Sequence, residues 1–356
     1  MGKLNFYRDE PLFGLDIGYS NIKVMQLEQM GGKGLRAVGY GFAPYPPDSI
    51  VNGIISKHDA LAKCLHELVN KHLVGAITTN RVACTVPTSR TFSRLVKLPL
   101  MDDEKLAEAV RLETEQYIPV RPENLYIDYE VVFRAPDGIE LLVVATPRNI
   151  IDSYMKFLAS VGLEPVALEP TMNACSRLFS ITEPTHNQPS ILVDFGSATT
   201  DLAVFDRTIF VNSIIPVGSD NVTAMISKYL KVDTEQAYQI KNKQGLEAGE
   251  NQALIKEAVE PMLENLVREI RKIMRYHDER TGRGRPTISQ IITLGGGSLM
   301  PGLSKFLWDQ LQMPVHMLDP WNKIDFSNML PPAEFERPMY LTVAGEAVLK
   351  PEEIFA

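Results

Sequence analysis

A small, polar turn between two apolar runs carries the residues best suited to chemistry. The run 191–193 leads into Asp194, and a second β-prone run begins at Leu202, which together predict a β-hairpin. The turn residues are small or polar: Gly196, Ser197, Ala198, Thr199 and Thr200. Backbone N–H groups in such a turn can bind a phosphate, and a carboxylate at the strand end can hold a divalent cation through its waters. A structural hairpin without a ligand is the alternative.

A second copy of this pattern lies near the N-terminus. One strand-like run ends at Asp16, a turn follows, and another run starts at Ile22. The residues of this copy that can meet a phosphate or its metal ion are Asp16, Gly18, Tyr19, Ser20, Asn21 and Lys23. Two such hairpins facing each other can grip a phosphate chain, with Lys23 as a cation and with Asp16 and Asp194 orienting Mg²⁺ through water. The duplication indicates a protein of two similar halves.

Two further stretches suit an anion or a flat ligand. A buried strand at 291–294 is followed by residues that allow a base to lie close to the backbone: Gly295, Gly296, Gly297 and Ser298. Gly218 precedes a predicted helix whose N-terminus favours an anion, with a plain turn as the alternative.

Composition excludes several classes of protein. The chain has 356 residues, of which 45% are hydrophobic and 22% charged, which is typical of a globular protein with room for two cores. A net charge of -8 argues against nucleic-acid binding, and no run of 18 apolar residues predicts a membrane span. The polar N-terminus is unlike a signal peptide, so we expect a cytoplasmic protein. The cysteines and histidines lack metal-ligand spacing.

The middle of the chain predicts a small inserted α+β unit, from about residue 89 to 162. A helix opens at Asp102 and is stopped by Pro119, two strands follow around a turn at Gly138, and a second helix ends at Gly162. We expect this unit to dock a partner, because nothing in it suits catalysis.

A long amphipathic helix is predicted to begin at Pro261. It and the following residues hold a concentration of basic side chains: Arg268, Arg271, Lys272, Arg275, Arg280, Arg283 and Arg285. A solvated helix face is the expectation, and contact with an acidic lipid or partner is the alternative. A final helix at 341–349 carries small residues that allow close helix packing.

The two hairpins and the glycine loop, in this order, resemble the superfamily of actin, heat-shock-70 proteins and sugar kinases. The resemblance implies an α/β, actin-like (ribonuclease H-like, duplicated) two-domain fold with ATP and Mg²⁺ in the cleft and adenosine at the glycine loop. The expected units are a first core domain (1–88, 163–189, 341–356), the insert (89–162), a second core domain (190–215, 290–340) and a helix-rich nucleotide-side subdomain (216–289).

The insert narrows the resemblance. The stretches 98–106 (LPLMDDEKL) and 113–120 (ETEQYIPV) are similar to the family of bacterial actin-like proteins that contains PilM, of type IV pilus assembly, and FtsA, of cell division. The PilM branch implies a cytoplasmic ATP-binding scaffold at the inner membrane that docks the N-terminal tail of a single-span, PilN-like protein. That groove is expected near Tyr117, Ile118 and Pro119. Pilus motor ATPases and self-association are further contacts that the resemblance allows.

Some residues bear on the chemistry through the resemblance alone. Glu169 stands where relatives polarise the attacking water, with a purely structural residue as the alternative. Tyr238 replaces a glutamate that contacts the ribose in relatives, and the nearby Lys241 either reaches the nucleoside or is solvated. Tyr19 replaces a small residue in the first phosphate turn. We therefore expect slow or absent ATP hydrolysis.

Two other functions fit the same superfamily. An FtsA-like division protein is expected to end in an amphipathic membrane helix, which the sequence after Lys350 does not resemble. A small-molecule kinase needs a substrate pocket with a catalytic base, and no candidate base stands out in the first domain.

Overall fold

The computed structural model describes residues 11–31, 34–281 and 286–350. Its strands are β1 (Phe13–Ile17), β2 (Asn21–Gln29), β3 (Leu35–Pro44), β4 (Ile50–Val51), β5 (Ile54–Ile55), β6 (Val74–Gly75), β7 (Arg81–Val86), β8 (Phe92–Leu98), β9 (Leu125–Ala135), β10 (Gly138–Pro147), β11 (Glu164–Pro170), β12 (Ser190–Phe195), β13 (Thr200–Asp206), β14 (Thr208–Ile215), β15 (Gln290–Leu294), β16 (Val315–Met317) and β17 (Ile324–Asp325). Its α-helices are α1 (His58–Lys71), α2 (Asp103–Glu115), α3 (Arg148–Ser160), α4 (Thr171–Thr182), α5 (Ser219–Leu230), α6 (Thr234–Lys243), α7 (Gln252–Thr281), α8 (Leu303–Leu311) and α9 (Leu341–Ala347).

The two large sheets repeat one arrangement. In the first, the antiparallel run β1–β2–β3 is extended beyond β1 by the parallel strands β7 and β11. In the second, the antiparallel run β12–β13–β14 is extended beyond β12 by the parallel strands β15 and β16. Both first strands are almost continuous apolar runs that are buried on both faces, as expected for the centre of a sheet with helices on each side. The duplication predicted from the hairpins is therefore present in the fold.

Two helices, α4 and α9, lie between the sheets. Their apolar side chains share one core with residues of β2 and β3 from the first sheet and of β12, β13 and β15 from the second. They pack very closely, because a side chain at Gly345 of α9 would lie 2.0 Å from the Ala174 carbonyl oxygen of α4. The small residues of the last helix thus serve the close packing that the sequence predicts.

The insert touches both halves. Its strands β8, β10 and β9 are antiparallel, and β8 adjoins β14 of the second sheet through the pair Arg94 and Val211. Leu106 and Val110 of α2 pack on the face of these strands. Helix α3 instead places its apolar side chains in the core of the first sheet: Ile150, Tyr154, Phe157 and Leu158.

The long helix α7 differs from the sequence prediction at its start. It begins at Gln252 and contains Pro261, nine residues further on, as an internal residue. Proline removes one backbone hydrogen bond from a helix interior. The helix continues upstream because Ile255, Ala258 and Val259 are buried on the same apolar stripe as the later turns. Among the described residues, no helix is long and apolar enough to cross a bilayer.

Candidate functional site

In the first hairpin, the aspartate is contacted by one cation and one hydroxyl group. Asp16 is the penultimate residue of β1 and stands directly across the ladder from Lys23 of β2. The Lys23 Nζ lies 2.7 Å from Asp16 Oδ2, and Thr85 Oγ1 of the adjacent β7 donates to Asp16 Oδ1 at 2.8 Å. All three residues are buried. Each oxygen of Asp16 therefore accepts one hydrogen bond from a group of the first half, and the role of Asp16 in orienting Mg²⁺ through water stays a prediction.

The second hairpin places an acidic residue where the first has a lysine. Asp194 of β12 stands across the ladder from Asp201 of β13, in the position that corresponds to Lys23. Burial, and then the charge of Asp16, raise the pKa of Asp194 to about 6, while Lys23 lowers it. Burial, and then Asp194, raise the pKa of Asp201 to about 7 against hydrogen bonds from Thr199 and Thr88. The two hairpins therefore face each other within electrostatic reach.

Each turn leaves two consecutive backbone amides open. The N–H of Gly18 donates to the Asn21 carbonyl, which closes the first turn. In the part of the chain that the structure describes, the N–H groups of Tyr19 and Ser20, and likewise those of Ser197 and Ala198, have no backbone acceptor. Adjacent free N–H groups at a turn suit a phosphate oxygen. The Tyr19 ring is 64% exposed beside this turn.

Gly218 and Lys241 both contact the N-terminal end of α5, beside the second turn. Gly218 caps α5, but the next two amides, of Ser219 and Asp220, donate to the carbonyls of Gly196 and Ser197. The N-terminus of α5 therefore holds the second turn in place. Lys241 is only 3% exposed, and its Nζ donates to the Ser219 Oγ at 2.6 Å and to the Ser219 carbonyl at 3.3 Å. It supports the same helix end from α6.

The glycine loop packs against the end of β12. Gly295 has a φ of 75°, and a side chain there would lie 2.2 Å from Asp194 Oδ1. Gly296 and Gly297 open a short 3₁₀ turn, and the Ser298 hydroxyl donates to the Gly295 carbonyl at 2.8 Å. The candidate residues that converge on the cleft are thus Asp16, Lys23, Asp194, the turn 196–200 and the loop 295–298.

Glu169 of β11 lies in a largely buried charge cluster. Arg177 donates to both Glu169 oxygens, at 2.5 and 2.7 Å, and to the Gly345 carbonyl at 3.1 Å. Glu346 of α9 is fully buried, and burial, and then the charge of Glu169, raise its pKa well above the usual range. No described donor reaches the Glu346 carboxyl, which as a protonated acid can itself donate to Glu169. The catalytic role of Glu169 stays a prediction. To polarise a water, Glu169 would have to do so while both its oxygens accept from Arg177.

The three residues predicted to line a partner groove have different environments. Ile118 is buried in the insert's own core, Tyr117 is half-buried under Arg94 with 4.8 Å between the guanidinium carbon and the ring, and Pro119 is exposed. Of the three predicted residues, Pro119 has the most exposed side chain.

Thr85 and Asp201 are site residues that the sequence reasoning missed. Thr85 is invisible to local pattern, because β7 meets β1 only in the folded sheet. Asp201 could have been found from the sequence, since it lies in the same hairpin as Asp194 and at the position that corresponds to Lys23.

The second hairpin suits a hydrated divalent cation. Asp201 Oδ1 is buried and has no hydrogen-bond partner among the described residues. Mg²⁺ keeps several waters and needs only one or two carboxylates, which Asp194 and Asp201 can supply. Groups of three or more side chains able to bind a metal directly are absent from the described ranges.

A family model describing the type IV pilus assembly protein PilM matches residues 14–350. The chain belongs to the PilM family. The family prediction from the insert motifs is thereby confirmed, and membership places the chain among type IV pilus assembly proteins. PilM family members share the actin-like architecture seen here with more distant proteins.

The similar proteins include solved structures and a curated relative. A PilM–PilN type IV pilus biogenesis complex matches with a TM-score of 0.80 and 21% identity, over 96% of this chain and 98% of the other. MreB5 of Spiroplasma citri bound to AMPPNP matches with a TM-score of 0.52 and 13% identity, over 95% of each chain. The cell division protein FtsA of Bacillus subtilis (strain 168) is 23% identical over 88% of this chain and 79% of its own. The actin-like fold is confirmed, and the FtsA alternative is the weaker one.

Proposed function

We propose that this PilM-family protein is a cytoplasmic scaffold that binds ATP with Mg²⁺ between its two hairpins and docks the tail of a PilN-like membrane protein. The observation that carries the nucleotide part is the facing of Asp16 with Lys23 and Asp194 with Asp201, beside turns with open amides. The related fold of MreB5, which has been solved with AMPPNP, supports the choice of ligand.

The roles within the cleft follow from charge. Lys23, together with the amides of Tyr19, Ser20, Ser197 and Ala198, would bind phosphate oxygens. Asp194 and Asp201 would hold Mg²⁺ through water, which supplies the positive charge that the second hairpin lacks. The glycine loop 295–298 would take the adenosine, and Lys241 and Gly218 would act by holding the second turn. The sequence predictions for Lys241 were contact with the nucleoside or a solvated side chain, and we propose that it supports the second turn instead.

The connection of the insert suggests how the nucleotide could influence a partner. Strand β8 continues the second sheet, whereas α3 packs in the core of the first. A nucleotide that draws the two sheets together would therefore change the position of α2 relative to α3. We place the partner tail beside the insert near Pro119, and Leu100 and Leu112 are further exposed residues of the insert.

Binding of Mg²⁺–ATP is tested by calorimetric titration of Asp194→Ala. We expect heat of binding with the wild type and none with the variant, because Asp194 adjoins both the glycine loop and the cation site. Asp309→Ala, an exposed aspartate on α8, is the matched control and should bind as the wild type does. Equal affinity in all three proteins would show that the second hairpin is not the ATP site.

Docking is tested by affinity capture from detergent-solubilised membranes in the presence of ATP, with Pro119→Glu and Leu112→Glu as variants. A single-span protein with a short cytoplasmic N-terminus, captured by the wild type and lost from the variants, is the expected result. Recovery of the division tubulin would instead favour the FtsA function.

Hydrolysis is tested with Glu169→Gln. Because Arg177 holds both Glu169 oxygens, we expect a slow basal rate that the substitution does not lower further, together with a loss of stability. A large fall in rate at unchanged stability would establish Glu169 as the residue that polarises water.

A further inference from the structure

A groove of about 700 Å³ runs between α7 and α8, on the helical layer that covers the second sheet. Its floor is apolar, formed by Val267 and Met274 of α7 and by Phe306 of α8. Met274 and Phe306 are half-buried, so part of each side chain faces the open groove. The groove belongs to neither the nucleotide cleft nor the insert.

Three arginines stand along one wall of this groove. Arg268, Arg271 and Arg275 are spaced by three and four residues, so they lie on one face of α7 over a rise of about 10 Å. Arg271 donates to the Gln310 carbonyl at the end of α8, and Arg268 donates to Asn265. Within the described ranges, none of the three guanidinium groups forms an ion pair with a carboxylate.

Acidic residues bound the arginine row at both ends. Glu260 and Glu264 continue the same helix face toward the N-terminus of α7, and Asp278 follows the last arginine. An anionic bilayer is a poor match, because a flat surface pressed on this face would meet those carboxylates as well as the arginines. A short segment that enters the groove would lie against the three arginines at its centre and would meet the carboxylates toward its two ends.

We propose that this groove is a docking site for an acidic amphipathic peptide segment of a partner protein. An apolar side chain of the segment would sit over Met274 and Phe306, and carboxylates one helical turn apart would pair with Arg271 and Arg275. The occupant is identified by charge complementarity: its middle must be acidic, since between Glu264 and Asp278 the described lining of the groove holds three arginines and no carboxylate.

The test is a display selection with random 12-residue peptides on the wild-type protein. We expect the selected peptides to carry Asp or Glu around a large apolar residue. Their affinity, by fluorescence anisotropy, should fall at least about tenfold in the double variant Arg271→Glu/Arg275→Glu. Lys272→Glu, an exposed substitution on the same helix outside the groove lining, should bind them as the wild type does.

Several outcomes would overturn the proposal. The first is a set of selected peptides without enrichment in Asp or Glu. The second is an equal loss of peptide affinity in Lys272→Glu. The third is that no peptide is selected, while the wild type binds phosphatidylglycerol vesicles and the double variant does not. Arg275→Ala, which removes one exposed side chain, repeats the measurement should the double variant fail to fold. Urea unfolding of each variant shows whether the rest of the protein is intact, and it keeps this test independent of whether the cleft binds ATP.

Discussion

The first hairpin compensates its aspartate from within its own half, whereas the second opposes two aspartates with no cation of its own. Asp16 faces Lys23 across its ladder, and Asp194 faces Asp201 at the corresponding position. The backbones are alike, since each is an antiparallel pair extended by a parallel strand. The difference lies in the residue of the second strand that faces the aspartate. It is Lys23 in the first hairpin and Asp201 in the second.

This difference assigns separate tasks to the two hairpins. With Lys23 in place, the first can present positive charge to phosphates without an ion. The second holds pKa values of about 6 at Asp194 and about 7 at Asp201, so near neutral pH it needs a proton or a metal ion to reduce its repulsion. Duplication of a fold thus leaves the two copies free to become electrostatic complements.

Replacing Lys23 should have the largest effect on stability, because it removes the cation that distinguishes the first hairpin from the second. In Lys23→Met, Asp16 keeps its buried position but loses its cation, and we expect the free energy of unfolding to fall by about 3 kcal/mol or more at pH 7. Urea unfolding measures it. The double variant Lys23→Met/Asp16→Asn should recover most of the loss, since no uncompensated charge remains. A cost under about 1 kcal/mol for Lys23→Met would mean that the pair does not neutralise the hairpin.

The second hairpin predicts a pH dependence that the first does not. The pKa of Asp201 is 3.8 in an unfolded chain and about 7 here, so between these values the folded state holds the extra proton. Its contribution to stability is complete below about pH 4 and is lost as the pH rises through 7. Without Mg²⁺, Asp201→Asn should therefore be more stable than the wild type at pH 8, by about 1–3 kcal/mol.

Urea unfolding from pH 5 to 8.5 checks this prediction. The wild type should lose stability across the range, and Asp201→Asn should lose less, with Asp194 contributing the remaining slope. Asp309→Asn serves as the control, because this aspartate is exposed on α8. Identical slopes in all three proteins would contradict the raised pKa. Added Mg²⁺ should stabilise the wild type more at pH 8 than at pH 5, since protons and the ion compete for the same carboxylates.

Local patterns were sufficient to predict the hairpins, the glycine loop and most helices. Strand, turn and strand follow one another within about 16 residues, so the signals for pairing lie side by side in the sequence. The predicted start of α7 at Pro261 was wrong because it also rested on local pattern. A proline is a strong sign of a helix end, and the sequence does not show that the apolar stripe before it is buried against the second sheet. Its position inside a helix is decided by packing.

Long-range partners were beyond the sequence. Glu169 of β11 and Arg177 of α4 are eight residues apart, yet local pattern does not predict that Arg177 also reaches the Gly345 carbonyl of α9, which is 168 residues away along the chain. From its position in α6, the Lys241 side chain could face either solvent or the interior. It faces the interior because α5 lies beside it and Ser219 accepts its hydrogen bond. Residues whose role depends on which helix face is buried need the tertiary structure.

The smallest predicted effect separates the two contacts of Asp16. Thr85→Val keeps the shape and the β-branched side chain that suits β7, and removes only the hydroxyl that donates to Asp16 Oδ1. We expect a loss of about 1 kcal/mol in urea unfolding, because Lys23 still neutralises the charge. Thr85→Ser keeps the donor and should lose less; a larger loss for serine would assign the effect to methyl packing. A small cost for the hydroxyl beside a large one for Lys23 would show that charge, more than hydrogen bonding, distinguishes the first hairpin from the second.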